Sequence, residues 1–308
     1  MGVKSAVNSR IEEFVAFYVR HYKKMVFLPI ALVVVFGGII ATYYLQHGTP
    51  VNEDISLSGG ISLTINTNKS VNVQTLTNEL ASSLKTEVSV AVLHSQFSNN
   101  IIGYTITAKN STTRALNSTV SSFLAPVTST NSNINFVSPA IAQNSIYDSF
   151  ILLGAAFILV AFVSLFYFRN PAQSFSNVIS IISDVINVIG VMDLLAISFS
   201  TASIAGILML MGYSADRNII LATNILKRKE ASVKYRLSHT IKTSLTMDAA
   251  ALLTFIVLFL GTTNTTIQSI AIILIIGVIF DDFTVWILNG SIQLAAMHYS
   301  EEPHQATR

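Results

Sequence analysis

The chain contains no cysteine. Disulfides, thiolate metal sites and a thiol nucleophile are therefore all excluded. Charge is almost as scarce: Asp, Glu, Lys and Arg make up 11% of 308 residues, less than half the share of about 25% usual in soluble domains. Set against 51% hydrophobic residues and a mean hydropathy of +0.59, that poverty of charge identifies a membrane protein. Catalytic signatures are missing too. No GxxxxGK[ST] phosphate loop, no HExxH and no GxSxG occur, and all six His lie outside the long apolar runs. ATP hydrolysis, zinc proteolysis and serine hydrolysis have no visible machinery, so we expect neither an enzyme nor a cofactor. A net charge of +2 gives no ground for nucleic-acid binding.

What is present alternates between apolar and polar blocks. A leader (1–24) carries Lys4, Arg10, Arg20, Lys23 and Lys24, with Ile11, Phe14, Val15, Tyr18 and Val19 between them at near-helical spacing, a pattern that fits a short amphipathic helix on a membrane surface or, equally, a solvated basic leader. Residues 25–45 are long enough to cross a bilayer, and no small-residue cleavage site follows, which reads as a retained anchor. From 46 to 144 Ser, Thr and Asn dominate. There the pattern runs strand (Ile61, Leu63, Ile65 alternating), helix (Val73 to Lys85), strand (Val88 to Leu93), a turn at Asn99-Asn100, strand (Ile101 to Ala108), helix (Thr112 to Leu124) and strand (Ile134 to Val137). The order β-α-β-β-α-β is that of a ferredoxin-like α+β sandwich, with Gly59-Gly60 preceding or opening its first strand. Five further spans are expected within 145–292, at about 145–168, 178–197, 201–226, 244–260 and 266–292, before a tail at 293–308. The expected architecture is an α-helical membrane protein: six transmembrane helices with a ferredoxin-like domain between the first and second.

Basic residues orient it. The leader holds five, Arg169 lies between the second and third spans, and six fall between Lys227 and Lys242, against four (Lys69, Lys85, Lys109, Arg114) in the polar block. The positive-inside rule then places both termini in the cytoplasm and residues 46–144 outside, in a multi-pass plasma-membrane protein. Sequons at Asn68, Asn110, Asn117 and Asn264 fall on the outer side, and a fifth, at Asn289, near the inner face.

Against this background the adjacent Asp216 and Arg217, well inside the fourth span, require a reason, because a charge at bilayer depth costs several kcal/mol. Asp216 lies about fifteen residues inward from Thr201, Asp281 about fifteen from Thr266, Asp248 about fifteen from Thr263 and Asp184 about fourteen from Ser198, so at ~1.5 Å per residue all four sit roughly 21–22 Å below the outer surface. Carboxyls sharing one layer in oil raise one another's proton affinity while a neighbouring Arg lowers it. We expect Asp216 to be the principal protonatable group, tuned by Arg217 and Asp281. The alternative is a static salt-bridge network that fixes helix packing. Asp282 points about 100° away from Asp281, and Asp193 lies near an outer helix end; both are weaker candidates.

Three stretches carry a resemblance. Gly212-Tyr213-Ser214-Ala-Asp216-Arg217-Asn-Ile-Ile-Leu, ending in Leu226-Lys-Arg, is similar to the fourth-span signature of the archaeal SecF family, subunits of the SecDF protein-export complex and relatives of the resistance-nodulation-division exporters. Gly277-Val-Ile-Phe-Asp281-Asp-Phe-Thr-Val-Trp286-Ile-Leu-Asn289 resembles its sixth-span signature, and Lys242-Thr-Ser-Leu-Thr-Met247 the start of its fifth. Gly59-Gly60 matches the family's first-strand pair, although Ile55-Ser-Leu-Ser rather than an acidic or aromatic element precedes it. Arg217 stands where bacterial relatives tend to have Asp. The resemblance implies an accessory of the SecY translocation channel, paired with SecD, handling exported unfolded polypeptide from within membrane lipid and driven by the proton motive force. Two other functions compete. Half of a small-molecule or lipid exporter would require a larger or duplicated outer domain with an apolar cleft, and a merely anchored binding module leaves four charges at one depth unexplained.

Overall fold

Apolar runs of twenty or more residues leave the backbone few ways to satisfy its hydrogen bonds in hydrocarbon, and here they fold as helices. A computed structural model describes residues 2–86, 88–94, 101–109, 113–124, 126–128, 130–227, 232–262 and 264–296. In chain order the elements are α1 (Gly2–Met25), α2 (Phe27–His47), α3 (Ile55–Ser58), β1 (Gly60–Asn66), α4 (Val73–Leu84), β2 (Val88–His94), β3 (Ile101–Ala108), α5 (Thr113–Phe123), β4 (Ser132–Val137), α6 (Pro139–Phe168), α7 (Pro171–Leu194), α8 (Thr201–Ala222), α9 (Val233–Gly261), α10 (Thr265–Phe283) and α11 (Gly290–Ala296). Two π-helical turns, Thr223–Lys227 and Thr284–Asn289, continue α8 and α10. Among the described residues, six helices are long and apolar enough to cross a membrane. Of these α7, α8 and α10 are largely enclosed by their neighbours, while α2, α6 and α9 turn most of their apolar side chains outward.

Two boundaries differ from expectation. Helix α7 starts at Pro171, seven residues before the expected 178, because proline at a first helical position gives up no hydrogen bond. Helix α9 starts at Val233, not 244: Ser232 caps it by accepting from the Tyr235 amide, and the helix runs through the basic stretch before reaching the apolar one. The turn at Asn99-Asn100, the sequon at Asn110, Thr112, Thr263 and the tail from 297 onward lie outside the described residues. Asn289, a sequon by pattern, is fully buried and cannot accept a glycan.

The polar block forms a four-stranded antiparallel sheet in the order β2-β3-β1-β4, the split βαβ arrangement. Alternation drives it. Ile61, Leu63 and Ile65 of β1 and Tyr104, Ile106 and Ala108 of β3 point to one face, where Leu76 and Leu80 of α4 and Leu116 and Val120 of α5 cover them to zero exposure.

This sheet is stitched to the helices at its base. Phe199, in the turn between α7 and α8, donates its amide to the Asn52 carbonyl at 2.7 Å and accepts from the Asp54 amide at 2.8 Å. Ser56 Oγ accepts from the Thr201 amide at 3.1 Å, and Leu57 of α3 is buried among Ile181, Met192, Phe199 and Ile204 of the bundle. Directly after α3 the chain enters β1 through Gly59 (φ 76°) and Gly60 (φ 142°), conformations that side chains resist.

At the opposite end α1 is no loose surface helix. Val15, Tyr18, Val19 and Tyr22 are buried against Leu221, Ile225, Leu237, Ile241 and Val285. Tyr18 shares a hydrogen bond with Ser291 Oγ at 3.1 Å, and its burial pushes the phenol's pKa up.

A Cβ at Gly60 would lie 2.7 Å from the Ala108 carbonyl oxygen as well as at an unfavourable φ. Gly60→Ala is therefore expected to destabilise the sheet by about 1–3 kcal/mol. Limited proteolysis should then release the 60–137 segment sooner; an unchanged cleavage rate would contradict the strain.

Candidate functional site

Helices α8 and α10 approach closely because glycines line their contact. A Cβ at Gly277 would meet the Leu210 side chain at 2.5 Å, and one at Gly206 would meet Ile273 at 3.3 Å. Close approach brings Arg217 of α8 against the end of α10. Its Nη1 donates to Asp281 Oδ2 at 2.5 Å, its Nη2 to Asp282 Oδ1 at 2.5 Å, and Nη2 forms an ion pair with Asp248 Oδ2 of α9 at 3.0 Å. Arg217, Asp248 and Asp281 are at most 3% exposed; Asp282 is 26% exposed. The Tyr213 hydroxyl donates to Asp248 Oδ1 at 2.6 Å, and the Trp286 indole N–H donates to Asp282 Oδ1 at 3.3 Å. The guanidinium also stands 5.8 Å and 6.0 Å from the ring centroids of Tyr213 and Trp286, within cation–π range.

Asp184 of α7 completes the layer without touching the arginine. Ser214 Oγ donates to its Oδ2 at 2.8 Å and Thr284 Oγ1 to its Oδ1, and it is fully buried. Thr284 opens the π turn that follows Asp282 and carries Trp286 and Asn289. Such turns widen the helix and recur at functional sites.

Below this layer lies a buried network of amides and hydroxyls centred on Asn289. Its Nδ2 donates to Asn177 Oδ1 at 3.0 Å and to Asn218 Oδ1; its Oδ1 accepts from Ser176 Oγ and, at 3.0 Å, from Gln293 Nε2. Gln173 donates to Asn177 at 2.7 Å, Asn177 to Ser164 Oγ of α6 at 2.8 Å, and Asn218 to Ser214 Oγ at 3.3 Å. Through Ser214 the network joins Asp184, so hydrogen bonds run unbroken from the acidic layer toward the end of the bundle near Gln173.

Several sequence expectations are placed differently. Asp216, expected as the principal group, does not join the cluster. It is exposed on the outer face of α8, in a stripe with Ala205, Met209 and Gly212. Adjacent residues on a helix point about 100° apart, and Arg217 holds the inward direction. Gly212 has nothing within 4 Å of a notional Cβ. Asp282, set aside for pointing away from Asp281, does pair with Arg217: a planar guanidinium offers donors on separate nitrogens, so two carboxylates of different azimuth reach one arginine. Arg217, Asp281, Asp248, Asp184, Tyr213, Ser214, Trp286 and Asn289 all lie in the cluster or its network, and Gly277 makes the helix contact that positions it; Gly59 and Gly60 lie in the sheet joint. The Asn177–Asn218–Asn289 network was missed. Its signal was Asn177 and Asp184 seven apart on one face of α7, and Ser214 and Asn218 four apart on α8. Among the described residues no group of carboxylates and imidazoles is arranged to hold a metal ion.

Asn289 bonds to four side chains, and bundle hydrogen bonds in membranes average roughly 0.6 kcal/mol each. Asn289→Ala should therefore cost about 2 kcal/mol and lower the thermal midpoint in detergent by several degrees. An unchanged midpoint would show the network to be energetically idle.

The chain is similar to known proteins in sequence and in fold. Residues 116–298 match the family model described as protein export membrane protein SecD/SecF, C-terminal. The protein-export membrane protein SecF of Pyrococcus furiosus is 31% identical over 88% of this chain and 89% of its own length. That of Thermococcus gammatolerans is 28% identical over 88% of this chain and 84% of its own. Among solved structures, SecDF of Thermus thermophilus, described as a translocon-associated membrane protein, superposes with a TM-score of 0.69 at 18% identity over 92% of this chain. A SecDF structure in a super-membrane-facing form gives 0.55 at 16% identity. The chain spans about two fifths of those solved chains, 38% and 39%.

Proposed function

Because the chain belongs to the SecF family of protein-export membrane proteins, we propose that it acts as the SecF half of a SecDF assembly, assisting the Sec translocase with work drawn from proton flow through the Arg217 cluster. One observation carries this reading: a single buried guanidinium faces three carboxyls, Asp248, Asp281 and Asp282, with Asp184 alongside. Fully ionised, the group would bury excess negative charge, which costs several kcal/mol per uncompensated ion. It therefore holds protons, and which carboxyl holds them decides which one Arg217 grips. A change of grip moves α8 against α9 and α10, a two-state packing change of the kind that turns a local charge event into motion.

Orientation follows the same logic. Basic residues Arg20, Lys23, Lys24, Arg169, Lys227, Lys234, Arg236 and Lys242 gather at the bundle end opposite the sheet, which supports cytoplasmic termini and an outer domain over about 46–144. Motion of α8 reaches that domain through the Thr201–Ser56 and Phe199–Asn52 bonds, where the sheet would hold or release the emerging unfolded chain beside the SecY channel. SecD is the partner the outward stripe of α8 requires, since Asp216 bare in lipid costs roughly 2.5–3.5 kcal/mol.

Two experiments test the proposal. In vesicles carrying SecD and the SecY channel, Asp281→Asn and Arg217→Gln are expected to remove the gradient-dependent part of client export while leaving abundance of the assembled complex unchanged. Normal gradient dependence in both variants would sink the proton reading; loss of assembly instead would favour a structural ion network. Gly212→Leu fills only outward space, so the chain's own thermal midpoint should hold while SecD recovered under mild detergent falls several-fold. Undiminished SecD recovery would move the interface elsewhere.

A further inference from the structure

A cleft of about 530 Å³ lies between α1, α9 and α10, at the end of the bundle opposite the sheet. Its size lies in the range of ligand sites, roughly 300–1,000 Å³. The walls are apolar: Phe14 of α1, Leu245 of α9, and Ile279 and Phe283 of α10, each about two fifths exposed, with Trp286 on the π turn. Only two charged side chains line it. Arg10 of α1 has no ion-pair partner among the described residues, and Asp282 belongs to the Arg217 cluster.

We propose that this cleft is a binding site for one membrane lipid with an anionic headgroup, its chain lying in the apolar trough and its phosphate held by Arg10. Three features on different elements support that occupant. First, eight of the ten lining residues are apolar, a surface that favours a hydrocarbon chain over water. Second, the unpaired cation sits on the helix bearing Arg20, Lys23 and Lys24, a basic helix of the kind that attracts anionic headgroups. Third, the cleft is concave and built from segments more than two hundred residues apart, unlike the convex flanks of α2 and α6 that any bulk lipid can wet. The lipid's consequence lies at Asp282. That carboxylate is the one partly open member of the ion cluster, and a seated chain keeps water off it, strengthening its bonds to Arg217 and Trp286 in a low dielectric.

The chain supplies its own reporter. Trp286 is the only tryptophan and lines the cleft. The full chain, reconstituted in mixed phosphatidylcholine and phosphatidylglycerol vesicles with one or the other lipid brominated in its chains, reads occupancy as fluorescence quenching. Brominated phosphatidylglycerol should quench at lower mole fraction than brominated phosphatidylcholine, with a preference of about fivefold, the worth of one basic residue at an anionic surface. Arg10→Gln should bring the two lipids to parity and Arg10→Lys should keep most of the preference. Equal quenching by both lipids in the native chain, no quenching by either because protein covers the cleft, or a preference untouched by Arg10→Gln would each overturn the site. No partner subunit and no gradient enter the readout, so its failure is separate from any failure of the export proposal.

Discussion

The bundle is built around an unequal bargain of charge. Arg217 is buried with Asp248 and Asp281, out of reach of water, and also pairs with the partly open Asp282. A one-to-one ion pair in such a place can be static, since each partner satisfies the other. With one cation among three carboxyls, at least one carboxyl must be satisfied by a proton or by neutral donors. Tyr213, Trp286, Ser214 and Thr284 are those neutral donors, each giving one hydrogen bond to a carboxylate of the layer. The cluster is short of positive charge, and Arg217 Nε and Asp281 Oδ1 are left buried without a hydrogen-bond partner, so its polar groups are only partly satisfied.

The surroundings make that geometry possible and give it reach. Gly206 and Gly277 let α8 and α10 touch, so a long guanidinium side chain spans the gap without stretching. The amide network around Asn289 ties α6, α7, α8 and α11 together beneath the charged layer, and directional bonds among amides resist sliding more than apolar packing does. On the other side the sheet is joined to the α7–α8 turn by backbone bonds rather than by a free linker. Gly59 and Gly60 then turn the chain into β1 at once. A displacement at the N-terminus of α8 has little slack to disappear into before it reaches the first strand.

Much of this was legible because membranes and sheets impose strict periodicities. Six apolar segments could only be helices, and the alternation of Ile61, Leu63 and Ile65 could only be a strand with one face covered. That Asp184, Asp248 and Asp281 come together could also be anticipated, because rise per residue in a helix is fixed. Direction around the helix did not follow. Asp216 and Arg217 share a depth and differ by about 100° in azimuth, and nothing local says which of the two faces inward. Asp282 was undervalued for the same reason, its partner being defined by the reach of an arginine on another helix.

The sequence by itself determined the long apolar helices and the order of strands and helices in the polar block, since both depend on short-range stereochemistry and on the hydrophobic pattern. Only the tertiary structure decided that Arg217 is the hub, that Asp216 looks outward, that α1 closes one wall of an apolar cleft, and that Asn289 gathers four side chains. Those outcomes depend on how helices are rotated and crossed, which is set by the summed packing of residues distant in the chain and leaves no periodic trace in any one segment.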